Sequence, residues 1–207
     1  MNYTIKAKPT VYGPTRFRSR LEARWAALFD LLGWEYVYEP FDLDFWAPDF
    51  LLLGSCNVLV EVKPILAFDP AVADRMERSM LRWLGEARRD NPGEPLLLGA
   101  HPFMRHEDSL CMGWCAEVRH GEEYPWWDFK GWQFWWSGAV PGIWGDRNPS
   151  GVFGYCHAFG GFNDRITGGY DGGRHGDGDY ELHVEEFRSL WAQAGNLTQW
   201  FAEGQTP

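Results

Sequence analysis

The sequence predicts an α/β fold, a central mixed sheet flanked by helices, carrying a tryptophan- and glycine-rich C-terminal elaboration. Three observations predict it. Leu21, Trp25, Leu28 and Leu32 recur at helical spacing. Short apolar runs of strand length then fill residues 34–63. A second helical pattern, Asp69–Arg89, leads into the apolar run Leu96–Gly99. Helix, strands, helix, strand is the order of a sheet with helices packed on it.

Each element has a local reason. Residues 1–14, with Pro9 and Pro14, read as an arm. The first helix should end at Gly33, a good C-terminal cap. Residues 34–39 and 41–45 read as two strands split by Pro40, and Phe50–Leu53 as a third. Val58–Lys63 reads as a fourth, joined to the third through Gly54-Ser55-Cys56-Asn57 and stopped by Pro64. Pro70 suits the first turn of the second helix, with Asp69 as its N-cap. Composition shifts near residue 104. Residues 126–136 are rich in tryptophan, with Trp132, Phe134 and Trp136 alternating as in a packed strand, and residues 160–179 are dominated by Gly and Asp. Residues 184–203 read as one or two closing helices, interrupted at Gly195-Asn196. The expected organisation is an arm over 1–14, a core over 15–103 and an extension over 104–207 packed on that core.

Composition narrows the function classes. The chain has 207 residues, 45% apolar and 23% charged, enough for one α/β domain with an elaborated tail. No apolar run reaches membrane-span length and no signal peptide opens the chain, so a cytoplasmic protein is expected. Four cysteines are too few for a disulfide scaffold. Cys111, Cys115 and Cys156-His157 lack zinc-site spacing, so buried free thiols are the reading and no structural zinc is expected. Asp171, Asp177 and Asp179 lack calcium-loop spacing. The net charge of −10 argues against a general nucleic-acid coating protein. Residues 1–24 are nevertheless basic, with Lys6, Lys8, Arg16, Arg18, Arg20 and Arg24 against Glu22 alone. Arg75, Arg78, Arg82, Arg88 and Arg89 form a second basic cluster, interleaved with Asp74, Glu77, Glu86 and Asp90.

Four residues stand out as chemistry: Glu22, Asp49, Glu61 and Lys63. On an extended strand Glu61 and Lys63 share a face with Leu59, and an acid and an amine on an apolar strand are expensive to bury without a task. An edge strand with a surface ion pair is the plainer account. Asp49 after Pro48 also reads as a turn residue. A four-residue loop would pair Leu53 with Val58 and turn Asp49 away, whereas a bulge or shifted loop sets it opposite Glu61 or Lys63. Glu22 fits a capping box with Ser19, yet it also borders the apolar stripe of its helix.

The runs FRSRLEARWAALFDLLGWEYVYEPFDL, APDFLL and NVLVEVKP together resemble the PD-(D/E)xK nuclease superfamily. Within it the chain is most similar to the endonuclease subunit of heteromeric transposases and to related phage-borne nucleases, which suggests a phage or mobile-element setting. The resemblance covers roughly residues 15–100, and Glu61 stands where such transposase subunits can carry Gln. It implies a restriction-endonuclease-like core and a divalent-metal-dependent DNA endonuclease, with Mg²⁺ as the metal and Mn²⁺ as a substitute. Asp49, Glu61 and the Val62 carbonyl would ligate the metal. Lys63 would orient or activate the attacking water, and Glu22 would hold a metal-bound water or second ion. DNA is the expected partner, contacted through Arg16, Arg18, Arg20 and Arg24, with a second copy of the chain or a partner protein as further candidates. The alternative is a non-catalytic DNA-binding or assembly module that keeps the fold. A third reading, a structural protein whose tryptophans mark an interface, comes from another class altogether.

Overall fold

Glycines and caps end several elements where the sequence suggests, and the chain falls into two compact units, Met1–Trp34 with His183–Pro207, and Glu35–Leu182. The computed structural model describes residues 7–87, 93–106, 109–120, 131–142, 152–158, 163–169 and 184–199. Arg88, Arg89, Asp90, Trp126, Trp127, Asp171, Asp177, Asp179, His175 and His183 lie outside the described residues.

In the first unit, the segment read as an arm contains a hairpin. Strands β1 (Thr10–Tyr12) and β2 (Thr15–Phe17) pair antiparallel across Gly13, whose φ of 54° suits a glycine-centred turn. Helix α1 (Arg20–Leu32) starts at Ser19, whose side chain accepts the Glu22 N–H, and stops at Gly33, which is left-handed at φ 72°. The Trp34 N–H closes the end on the Phe29 carbonyl at 2.9 Å. Burial of Ala23, Trp25, Ala26, Ala27, Leu28, Phe29 and Leu32 makes α1 apolar on more than one stripe. Its partner is α3 (Val184–Leu197), where Trp191 meets Trp25 at a ring separation of 4.9 Å. Helix α3 is continuous, so the expected break at Gly195-Asn196 does not occur. A Cβ at Gly195 would come within 2.9–3.1 Å of the Arg24 guanidinium, so the glycine serves close approach rather than termination.

The second unit is built on a seven-stranded mixed sheet in the order β11-β10-β9-β6-β5-β4-β3. Its strands are β3 (Glu35–Tyr38), β4 (Phe50–Leu53), β5 (Asn57–Val62), β6 (Glu94–Leu98), β9 (Gly113–His120), β10 (Trp132–Gly142) and β11 (Gly154–His157). A separate pair, β7 (Met104–His106) and β8 (Ser109–Cys111), forms its own hairpin. Strands β3, β4 and β5 are antiparallel neighbours, and β5 pairs parallel with β6 after crossing through α2 (Pro70–Ala87). Strand β9 then pairs with β6, so the residues beyond 104 extend the same sheet. Asp69 caps α2 by accepting the Ala71 N–H at 3.0 Å.

The second expected strand, 41–45, is absent, because residues 39–49 run irregularly between Pro40 and the start of β4. Glu39 and Asp44 adopt positive φ, 47° and 68°, and the Leu43 N–H bonds the Trp46 carbonyl at 2.9 Å. That turn sends Leu43 and Trp46 inward. They join Leu59, Leu97, Trp114 and the α2 residues Met76 and Met80 in one apolar cluster, onto which Phe134 and Trp136 also pack. None of the described helices is long and apolar enough to cross a membrane.

Candidate active site

Strand β5 decides where the acid and the amine go. It lies between β4 and β6, buried along both faces from Val58 onward, which overturns the edge-strand reading of Glu61. Glu61 is 3% exposed and faces the α2 side. Its Oε2 accepts the Trp46 indole N–H at 2.8 Å. Its Oε1 meets the Lys63 ammonium at 2.6 Å and the Arg75 guanidinium at 2.7 Å. Both cations keep about a third or more of their side chains in solvent, 34% for Lys63 and 42% for Arg75.

Asp49 reaches the same strand end by the shifted register. The loop between β4 and β5 has three residues, so Leu53 pairs with Asn57 and Phe50 with Val60. The Asp49 N–H bonds the Val60 carbonyl at 2.8 Å, and its Oδ2 accepts the Val62 N–H at 2.7 Å. A side chain thus takes the place of a ladder acceptor. At 2% exposure Asp49 is no surface turn residue. The Val62 carbonyl in turn accepts from Lys63 Nζ at 3.3 Å.

The loop register has a distant cause. The Ser55 N–H bonds the Ile166 carbonyl at 2.9 Å, and the Ser55 hydroxyl bonds the Asp164 carbonyl at 2.8 Å. A Cβ on Gly54 would collide with the Arg165 carbonyl. Residues 163–169 therefore clamp the loop whose length sets Asp49 against Val62.

Glu22 belongs to the first unit, on the opening turn of α1. Its carboxylate accepts from the Ser19 hydroxyl at 2.8 Å and lies 3.8 Å from Arg18. The Ser19 hydroxyl also accepts the Glu22 N–H at 3.1 Å, which is the N-cap half of a capping box. Of the expected DNA-contacting arginines, Arg16 is exposed on β2. Arg20 donates to the Thr198 carbonyl at 3.1 Å. Arg24 stacks on Trp191, 3.8 Å from the ring centre, while donating to that residue's carbonyl.

Asp49, Glu61 and the Val62 carbonyl supply hard oxygen donors of the kind Mg²⁺ takes while keeping several waters. They fit such an ion in chemistry, provided Lys63 and Arg75 yield part of their hold on Glu61. Among the described residues no group of three or more His, Cys, Asp or Glu side chains is placed to hold a metal. Cys111, Cys115 and Cys156 are buried thiols, Cys56 is a half-buried one, and none of the four is in a disulfide. Burial pushes the Cys115 thiol well up and the Cys56 thiol up to about 12, which keeps both protonated.

Trp46 and Arg75 hold Glu61, and no local pattern in the sequence ties either of them to it. Arg75 was visible only as a member of a basic cluster. A second, largely buried network joins residues far apart in the sequence. Glu94 on β6 meets Arg165 at 2.6 Å and His157 at 3.4 Å, and His157 lies 3.1 Å from the Ser137 hydroxyl. Burial pushes the Glu94 pKa up, but the His157 and Arg165 contacts outweigh it and hold it below the ordinary value. No family model, curated protein or solved structure matches this chain.

Proposed function

We propose that the protein is a divalent-metal-dependent DNA endonuclease with a restriction-endonuclease-like core. The observation that carries this reading is the Asp49–Val62 bond, which aligns a buried carboxylate with the strand end bearing Glu61 and Lys63. The order helix, three antiparallel strands, helix and parallel strand supports it as well.

A bound Mg²⁺ would supply Lewis acidity and a water of lowered pKa. Asp49, Glu61 and the Val62 carbonyl hold it in this reading. The Lys63 ammonium, leaning on both Glu61 and the Val62 carbonyl, stabilises negative charge gathering on the phosphate as water attacks phosphorus and the P–O bond to the leaving oxygen breaks. Arg75 positions Glu61 through the same oxygen, Oε1, that Lys63 meets. Glu22 enters as the holder of a metal-bound water, on the strength of the sequence resemblance alone.

A second reading has one observation in its favour. Both Glu61 oxygens are already satisfied by Trp46, Lys63 and Arg75, as suits a DNA-binding or assembly module that keeps the fold without cleaving. One experiment separates the two. Supercoiled plasmid is incubated with the protein in Mg²⁺, Mn²⁺ or chelator, beside Lys63→Ala. Nicking that needs metal and Lys63 supports the nuclease, and intact plasmid in every lane rejects it.

A further inference from the structure

Loop 39–49 carries an exposed aromatic surface that core packing does not use. Phe45 is 63% exposed and Phe41 36%, while Leu43 and Trp46 of the same loop are buried. Asp44, at φ 68°, marks the turn between inward Leu43 and outward Phe45, after which Trp46 turns in again to Glu61. Arg82 of α2 lies over the Phe45 ring, 4.9 Å from its centre, and reaches Asp44 at 3.6 Å. Phe41 stacks against Trp83 of α2 at 6.2 Å.

The helix beneath supplies charge in register. At ~100° per residue, Arg75, Arg78 and Arg82 fall within about 60° of one another along one border of α2. Arg75 and Arg82 are seven residues apart, roughly 10 Å along the axis. At one end of this border is the Glu61–Lys63 pair, and at the other is Phe45. Arg78 and Arg82 are exposed, and Arg78 holds the Asp74 carbonyl at 3.1 Å. The opposing charges are Asp74 beside Arg78 and Asp44 beside Arg82.

Resting on the nuclease reading, we propose that this border is a track for a single, unpaired DNA strand, with a base stacked on Phe45 and phosphates on Arg78 and Arg82. Cations interleaved with an exposed aromatic ring are what unpaired nucleic acid uses, because its base faces are open. A duplex keeps those faces stacked and gains nothing from Phe45. The substrate class is therefore DNA with an unpaired segment, such as a flap, branch or frayed end. Asp44 competes with the phosphate for Arg82, so removing its charge opens the track.

The test is anisotropy binding of a labelled single-stranded oligonucleotide and its duplex, in chelator, over a salt series. Wild type should prefer the single strand. Phe45→Ala should weaken that binding roughly tenfold and leave duplex binding unmoved. Arg82→Gln should lower the salt slope on the single strand by about 0.7. Asp44→Asn should tighten binding, since Asn also tolerates positive φ. Equal affinity for both DNAs, or no change in Phe45→Ala, overturns the track. Metal-dependent plasmid nicking is scored separately. Nicking with a Phe45-insensitive single-strand affinity removes the track and keeps the nuclease. Phe45-dependent binding without nicking removes the nuclease and keeps the strand-binding surface.

Discussion

Glu61 on β5 and Glu94 on β6 lie on neighbouring parallel strands, at opposite ends and on opposite faces, because Glu61 pairs with Leu97 and Glu94 with Val58. Each is largely buried, and each is matched by cationic or protonatable partners. The partners differ. Glu94 meets Arg165 and His157, whose side chains are 10% and 1% exposed. Glu61 meets Lys63 and Arg75, both with a substantial part in water. A cation that reaches solvent can release its carboxylate at little cost, whereas a buried one cannot. The Glu94 network is therefore closed and holds the sheet to the 163–169 segment, while the cations of the Glu61 network reach solvent.

That contrast is easiest to break at its rigid end. Glu94→Ala strands Arg165 in a buried site and should cost about 3–5 kcal/mol of stability. Chemical denaturation measures this, and activity per folded molecule should stay unchanged. At the open end, Lys63→Ala should lower cleavage by ~10²-fold or more with little change in melting temperature, because its ammonium is partly solvated. Wild-type turnover in that variant removes Lys63 from the chemistry.

Asp49→Asn should weaken Mg²⁺ binding in calorimetry while the Val62 N–H keeps an acceptor. Unchanged affinity takes Asp49 out of the metal set. Asp164 sharpens the closed side further. Burial raises its pKa from 3.8 to about 6, against the pull of the Thr167 and Ile166 amides. The folded protein then keeps a proton that the unfolded chain releases between about pH 4 and 6, so this group lowers stability as pH rises through that window. Glu94 works in the opposite sense, its contribution present above the ordinary glutamate pKa and lost as pH falls through its depressed one. Asp164→Asn should gain about 1–2 kcal/mol at pH 7 and flatten the pH 4–6 slope in urea titrations. An unchanged slope discards the assignment.

The smallest effect is expected at Glu22. Glu22→Gln keeps an acceptor for the Ser19 hydroxyl and should change stability by no more than ~0.5 kcal/mol. A ~10²-fold fall in activity would give it a role in catalysis, and full activity would leave it a cap.

Local chemistry made much of the fold legible. Ser19, Gly33, Asp69 and Pro70 mark helix ends through forces that act over a few residues. The segment 41–45 misled because Phe41, Leu43 and Phe45 alternate with aspartates as in a strand, whereas only Leu43 is buried and Asp44 turns left-handed. Strand alternation set Glu61 and Lys63 on one face, but it left an edge-strand ion pair as the plainer account. Asp49 was not legible, since its place depends on a one-residue choice of register. Arg165 and His157 stand 71 and 63 residues from Glu94, and no local pattern connects them.

The clamp on the β4–β5 loop has a consequence in time. Asp49, Glu61 and Lys63 are all synthesised within the first third of the chain, but the residues that pin the loop, 163–169, emerge about a hundred positions later. During synthesis, early segments begin to fold before late ones exist. A nascent chain shorter than 163 residues carries every side chain on this strand end and lacks the contact that holds Asp49 in register. The alignment of Asp49 with the Val62 N–H is thereby deferred until most of the protein has been made.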